Sequence, residues 1–167
     1  MNKDTKVIDL EKVVIKFAGD SGDGMQLTGS QFTETSALLG NDLATFPDFP
    51  AEIRAPLGTV AGVSGFQVHI GNTEINTPGD VADVLVAMNP AALKANKNWI
   101  KKGGTIIINS DSFAKKDLDK AGYENNPLED GSFSGFNIVE APIANLTQET
   151  LKDSGLDGKS IRRAKNM

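Results

Sequence analysis

The residues most able to do chemistry stand early in the chain, in the run Gly19-Asp20-Ser21-Gly22-Asp23-Gly24. Glycines let a bound group approach the backbone closely. A turn entering a helix presents free N–H groups and a positive helix end, which is an anion-binding arrangement. The order here is G-x-x-G-x-G, whereas a dinucleotide pyrophosphate is cradled by G-x-G-x-x-G. The local charge also opposes an anion. No Lys or Arg occurs from Phe17 to Ile53, while Asp20, Asp23, Glu34, Asp42, Asp48 and Glu52 all fall in that stretch. The run therefore reads in two ways: as a nucleotide loop whose phosphate is held by backbone donors or by residues from elsewhere, or as a turn that packs helix on strand.

A second candidate is the segment Phe46-Pro47-Asp48-Phe49-Pro50-Ala51-Glu52-Ile53-Arg54-Ala55-Pro56-Leu57-Gly58, which continues to Gly65. A connection this long inside a compact domain is usually functional, and its three prolines and two Phe favour order. Arg54 is its one cation. It reads either as the partner of Glu52 or Asp48 in a local ion pair, or as a guanidinium aimed at a carboxylate or phosphate of a ligand or neighbouring domain. His69, the single histidine, alternates with apolar neighbours and is expected to be exposed and without function. Trp99 reads as a core or interface anchor. Asn109-Ser110-Asp111 stands after an apolar run, where open α/β sheets bind ligands and where ordinary helix caps also occur.

The elements that position these residues alternate along the chain. Val13 to Ala18 reads as a buried parallel strand feeding the glycine turn. Met25, Gly29, Phe32, Ser36 and Leu39 recur at helical spacing, with Gly40 in the place of a left-handed cap. Leu43–Phe46, ended by Pro47, and the alternating Phe66, Val68 and Ile70 read as strands, the latter half-exposed. Val84–Met88 is a further strand. Asn89 caps a helix with Pro90 at its first position, predicted to run to Trp99-Ile100 and to close at Lys101, Lys102 and Gly103. Thr105–Asn109 is a strand, Phe113–Ala121 a weaker helix, Asn125–Gly135 a loop, Ile138-Val139 a short strand and Leu146–Lys152 a helix. This order predicts a single α/β domain: a Rossmann-like, open, mostly parallel sheet with helices on both faces.

Composition narrows the chemistry. The 167 residues are 39% hydrophobic and 23% charged, as expected of one globular domain. With no cysteine and one histidine, the chain carries no disulfide, thiolate nucleophile, thiolate-held cluster or multi-histidine metal site of its own. No catalytic residue and no metal ligand is assigned. The net charge of −5 argues against nucleic acid or an anionic membrane as partner. The basic group Lys159, Arg162, Arg163 and Lys165 reads as a solvated helix face. The start, Met1 to Glu11, lacks a signal-peptide core, and the expected compartment is the cytoplasm. Ser160 to Met167 reads as a helix without a stop signal, as in a piece of a longer polypeptide.

The ordered set formed by Gly19-Asp20-Ser21-Gly22-Asp23-Gly24-Met25, Phe49 to Pro56, Asp83 to Asn89, Lys102 to Ser110 and Arg163 to Met167 resembles the gamma-type domain opening the alpha subunit of 2-oxoacid:ferredoxin oxidoreductases, the 2-oxoglutarate enzyme especially. The resemblance begins near Val13, so it implies an extension at 1–12 and the domain at 13–167. It implies an accessory role in an enzyme that converts a 2-oxoacid and CoA to acyl-CoA, CO2 and reduced ferredoxin. Thiamine diphosphate, Mg and the iron–sulfur cluster are then expected in other domains of the alpha subunit and in the beta subunit, with ferredoxin an indirect partner and the fragment alone inactive. Carried over residue by residue, the CoA-facing or interface positions are Gly19, Ser21, Gly22, Gly24, Glu52 and Arg54. Asp20 and Asp23 depart from the neutral loop of many relatives, and Ala55-Pro56 stands where many have two glycines. The other readings are a stand-alone nucleotide-binding oxidoreductase and a purely structural interaction module.

Overall fold

A computed structural model describes residues 9–50 and 62–164, apart from the side chains of Arg162 and Arg163. The elements follow in the order β1 (Lys12–Asp20), α1 (Met25–Leu38), β2 (Asp42–Asp48), β3 (Val63–Gly71), β4 (Ala82–Ala87), α2 (Pro90–Asn96), β5 (Ile100–Asn109), α3 (Lys115–Lys120), β6 (Asn137–Ala141), α4 (Ile143–Leu151) and α5 (Gly158–Ala164). They build one six-stranded sheet in the order β2-β3-β1-β4-β5-β6. The β1–β4, β4–β5 and β5–β6 pairs are parallel, while β3 pairs antiparallel with both β1 and β2. The expected open, mostly parallel α/β sheet is what the chain forms.

Alternation along the strands divides the core between the two faces. Phe17 lies opposite Phe66 on one side and Val86 on the other, and Met25 and Phe32 of α1 close over that row. The Phe17 and Phe32 rings meet at 5.6 Å, tilted by 58°. On the opposite face Ala18, Leu85, Ala87, Ile106 and Ile108 pack under Ala92 and Leu93 of α2. Helices thus cover both faces, because the β-strands are apolar at both parities near the middle of the sheet.

Several boundaries differ from the sequence expectations. α1 ends as predicted: Gly40, at φ 86°, donates to the Ala37 carbonyl at 2.9 Å and Asn41 to that of Ser36 at 3.2 Å, a left-handed C-terminal closure. Leu39, however, points outward and is 78% exposed. β2 continues through Pro47 to Asp48 because it is an edge strand, where a residue without N–H is tolerated. β3 is covered on both faces, not half-exposed: Gln67 is buried and donates to the carbonyls of Pro78 at 2.9 Å and Gly79 at 2.6 Å. α2 stops at Asn96 rather than Ile100. Residues Lys97–Trp99 form a 3-10 turn, and Ile100 already pairs with Ala82 in the sheet. Lys101, Lys102 and Gly103 therefore lie in β5, not at a helix end. The register jumps from Ala82–Ile100 to Val84–Thr105, and Gly103 sits in that irregularity at φ 76°. Lys101 meets Asp83 across it at 2.6 Å.

Candidate functional site

The sheet order reverses at β1: the chain leaves it toward β2 and β3 on one side, while β4 lies on the other. Open α/β sheets bind ligands outside the carboxyl ends of the strands at such a switch point. The glycine loop occupies this place. Asp23 N–H donates to the Asp20 carbonyl at 2.9 Å, and the Asp23 carboxylate accepts the Asp20 N–H at 2.9 Å, so the turn closes on itself. Gly24 enters α1 at φ 71°, a conformation that favours glycine. At Gly19 an added Cβ would lie 3.0 Å from Asp23 Cβ and Oδ2, so the missing side chain lets the loop fold down on the strand. At Gly22 it would meet nothing within 4 Å among the described residues. Gly19, Ser21, Gly22 and Gly24 are thereby brought together on one turn.

A cleft of about 350 Å3 opens beside the loop, lined by Asp20, Asp23, Asn89, Asp111, Lys116 and Lys120 among others. Its walls come from the ends of β1, β4 and β5 and from α3. The absence of cations between Phe17 and Ile53 is a property of that segment, not of the site. Lys116 and Lys120 reach the same cleft from α3, far along the chain. Neither lysine stands out in the sequence; the place of α3 after the carboxyl end of β5 is the signal that could have found them.

Asn89, read from the sequence as a cap, also reaches the glycine loop. Its Oδ1 does accept the Ala92 N–H at 2.8 Å. Its Nδ2 also donates to Asp20 Oδ1 at 2.9 Å and to Asp23 Oδ2 at 3.3 Å, joining the loop after β1 to the start of α2. Gln26 makes a second long-range link. From the first turn of α1 its Nε2 donates to the Gly65 carbonyl at 2.8 Å and to Ser64 Oγ at 3.1 Å, at the base of the β2–β3 connection.

Glu52 and Arg54 lie outside the described residues. The strands that flank their segment end beside the glycine loop, since Val63 pairs with Asp20 and Asp48 with Gly65. His69 is half-buried rather than exposed, and its Nδ1 lies 2.7 Å from the Thr77 carbonyl oxygen. It touches neither the loop nor the cleft beside it. Trp99 is 55% exposed and is therefore no core residue. With Phe46, 53% exposed, it borders a second cleft of about 450 Å3 over the β2–β3 side of the sheet, floored by Lys16, Gln67 and Asn96. Asn109 does not cap the 3-10 turn that follows it; its Oδ1 accepts from Ile143 N–H and Asp111 accepts from Asn145, so both serve the start of α4 far along the chain, and Asp111 also lines the cleft. Lys159 is exposed on α5. Among the described residues no group of three His, Cys, Asp or Glu is placed to hold a metal ion, and no helix is long and apolar enough to cross a membrane.

Known proteins give this geometry a context. The chain is 56% identical to the 2-oxoglutarate oxidoreductase subunit KorA of Mycobacterium tuberculosis over 158 residues, which is 95% of this chain and 24% of that protein. It thus spans about a quarter of the curated relative it matches. Its fold superposes on 2-oxoglutarate:ferredoxin oxidoreductase from Magnetococcus marinus, solved with 2-oxoglutarate, coenzyme A and succinyl-CoA bound, with a TM-score of 0.67 and 25% identity over 95% of this chain and 23% of that one. It shares the fold of the keto/oxoacid ferredoxin oxidoreductase gamma subunit from Geobacter sulfurreducens, with a TM-score of 0.61 and 18% identity over 92% and 70% of the two chains. The family model for pyruvate ferredoxin/flavodoxin oxidoreductase matches residues 14–167, and to that family the chain belongs.

Proposed function

We propose that residues 13–167 are the gamma-type domain of a cytoplasmic 2-oxoglutarate:ferredoxin oxidoreductase, preceded by an extension at 1–12, and that the glycine loop forms one wall of its CoA site. The complete enzyme would convert the 2-oxoacid and CoA to acyl-CoA and CO2 and pass two electrons to ferredoxin. Thiamine diphosphate, Mg and the iron–sulfur cluster would reside in the remaining domains of the alpha subunit and in the beta subunit. The absence of cysteine in this sequence fits that division. The exposed Phe46 and Trp99 would pack against those neighbours, as large aromatics do at interfaces.

The observation that carries the reading is the loop at the switch point of the sheet, facing Lys116 and Lys120 across one cleft. The ammonium groups of Lys116 and Lys120 would attract a phosphate-bearing cofactor. Asp20, Asp23, Asp111 and Asp117 on the same cleft, the last 3.6 Å from the Lys120 ammonium, would temper that attraction, as suits a cofactor that enters and leaves. The chain's own part would be to bind and orient.

Gly22→Ala tests this in the assembled enzyme. The added methyl meets nothing within 4 Å among the described residues, so stability should hold. A group seated against the loop would meet it, and the KM for CoA should rise about tenfold, the size of a steric penalty of 1–2 kcal/mol. An unchanged KM for CoA would leave the domain a structural module.

A further inference from the structure

We infer that Asn89 is a positioning residue that holds the glycine loop in shape, beyond its role as the cap of α2. Two carboxylates in a six-residue turn repel one another and give the loop reason to open. One side-chain amide meets both: Nδ2 lies 2.9 Å from Asp20 Oδ1 and 3.3 Å from Asp23 Oδ2. Hydrogen bonds to ionised acceptors are the stronger kind. The same side chain is fixed from behind, because Oδ1 accepts the Ala92 N–H at 2.8 Å. The backbone beneath is fixed as well, since Met88 N–H donates to the Ala18 carbonyl at 2.9 Å. Asn89 thus transmits the rigidity of the β1–β4 pair to the loop. Asparagine suits this, because aspartate and serine cap a helix equally well, but an ionised aspartate has no proton to give and serine has one, where the amide gives two.

Any effect on CoA rests on the function proposed above, and two readouts separate the claims. In the full-length subunit assembled with its partner, Asn89→Ser keeps an acceptor for Ala92 and, with a single hydroxyl proton on a shorter side chain, cannot hold both carboxylates. Asn89→Asp keeps the acceptor and sets a third carboxylate against the other two. In both variants, hydrogen exchange should quicken about tenfold in the peptide carrying Asp20 and Asp23, the loss of one such bond, with the Pro90–Asn96 peptide unchanged. The KM for CoA should rise about tenfold in Asn89→Asp, and less in Asn89→Ser, with the KM for the 2-oxoacid unchanged. Unchanged loop exchange, or equal acceleration in loop and helix, would overturn the inference. Faster loop exchange with an unaltered KM for CoA would uphold the positioning and sink the CoA reading alone.

Discussion

Gly29 of α1 lies directly against the ring of Phe66 in β3: a Cβ built on Gly29 would stand 2.3 Å from the Phe66 Cγ and Cδ1 atoms. The helix is pressed onto the sheet to a depth that only glycine allows. Gly29→Ala should therefore destabilise the chain by about 1–3 kcal/mol, since overpacking outweighs the gain of up to about 1 kcal/mol in helix propensity. Urea unfolding measures this. Replacing Phe66 by Leu in the Gly29→Ala background should recover part of the loss, because residues in contact do not act additively.

Tyr123, the one tyrosine of the sequence, reports on the packing of α3. Lys94 of α2 donates to the carbonyls of Ala121 at 2.9 Å and Gly122 at 2.8 Å, closing that helix, and its ammonium lies 5.0 Å from the Tyr123 ring centre. Burial of the phenol, with Asp130 nearby, pushes its pKa up to about 12. The phenolate is thus disfavoured in the folded state. Its contribution to stability is complete below pH 10 and is lost as pH rises through 12. Titration of the phenolate absorbance should show the raised midpoint. Tyr123→Phe should remove that alkaline dependence and be neutral or stabilising by up to about 1 kcal/mol near pH 7, because the hydroxyl is buried without a hydrogen-bond partner among the described residues.

The sequence announced the elements better than their meetings. Val13–Ala18, Val84–Met88 and Thr105–Ile108 were legible as buried strands because β-branched and apolar residues run on at both parities. Asn89 with Pro90, and Gly40, marked helix ends through chemistry that acts within a few residues. The misreadings came from distant partners. Nothing beside Gln67 reveals that the carbonyls of Pro78 and Gly79 will cover it. Nothing beside Trp99 shows that Ile100 will join Ala82 and end the helix early. The glycine loop could be located, but its acidic character was judged from its own segment, and the lysines across the cleft come from another part of the chain.

The start of α4 depends on side chains more than thirty residues upstream. Pro142, at its cap position, offers no side-chain acceptor. Asp111 accepts from Asn145 N–H at 3.0 Å and from Asn145 Nδ2 at 2.7 Å, and Asn109 Oδ1 accepts from Ile143 N–H at 3.3 Å. Asp111→Ala should cost about 1 kcal/mol and quicken amide exchange in the first turn of α4, as loss of an N-cap does. Asp111→Asn keeps an acceptor and should cost less. Equal exchange in all three proteins would show that water serves that helix end as well.

Lys16 stands in the middle of β1 with its side chain 11% exposed, and its ammonium lies 3.5 Å from Asp48 Oδ2 on the edge strand. The two ends of this pair differ: Asp48 is 47% exposed, so water still solvates the carboxylate while the lysine is largely withdrawn from it. Removing the charge and keeping the length should therefore be tolerated. Lys16→Met is expected within about 1 kcal/mol of the parent, because an apolar side chain of similar volume escapes the desolvation that the ammonium suffers. Removing the partner should be worse. Asp48→Asn leaves a buried ammonium without its counter-charge and should cost about 1–2 kcal/mol, less than for a fully buried pair because solvent screens the exposed end. The double variant should return close to the stability of Lys16→Met alone. If Asp48→Asn proves harmless in urea unfolding at low salt, the pair behaves as a surface contact, and Lys16 owes its place to packing against the neighbouring strands.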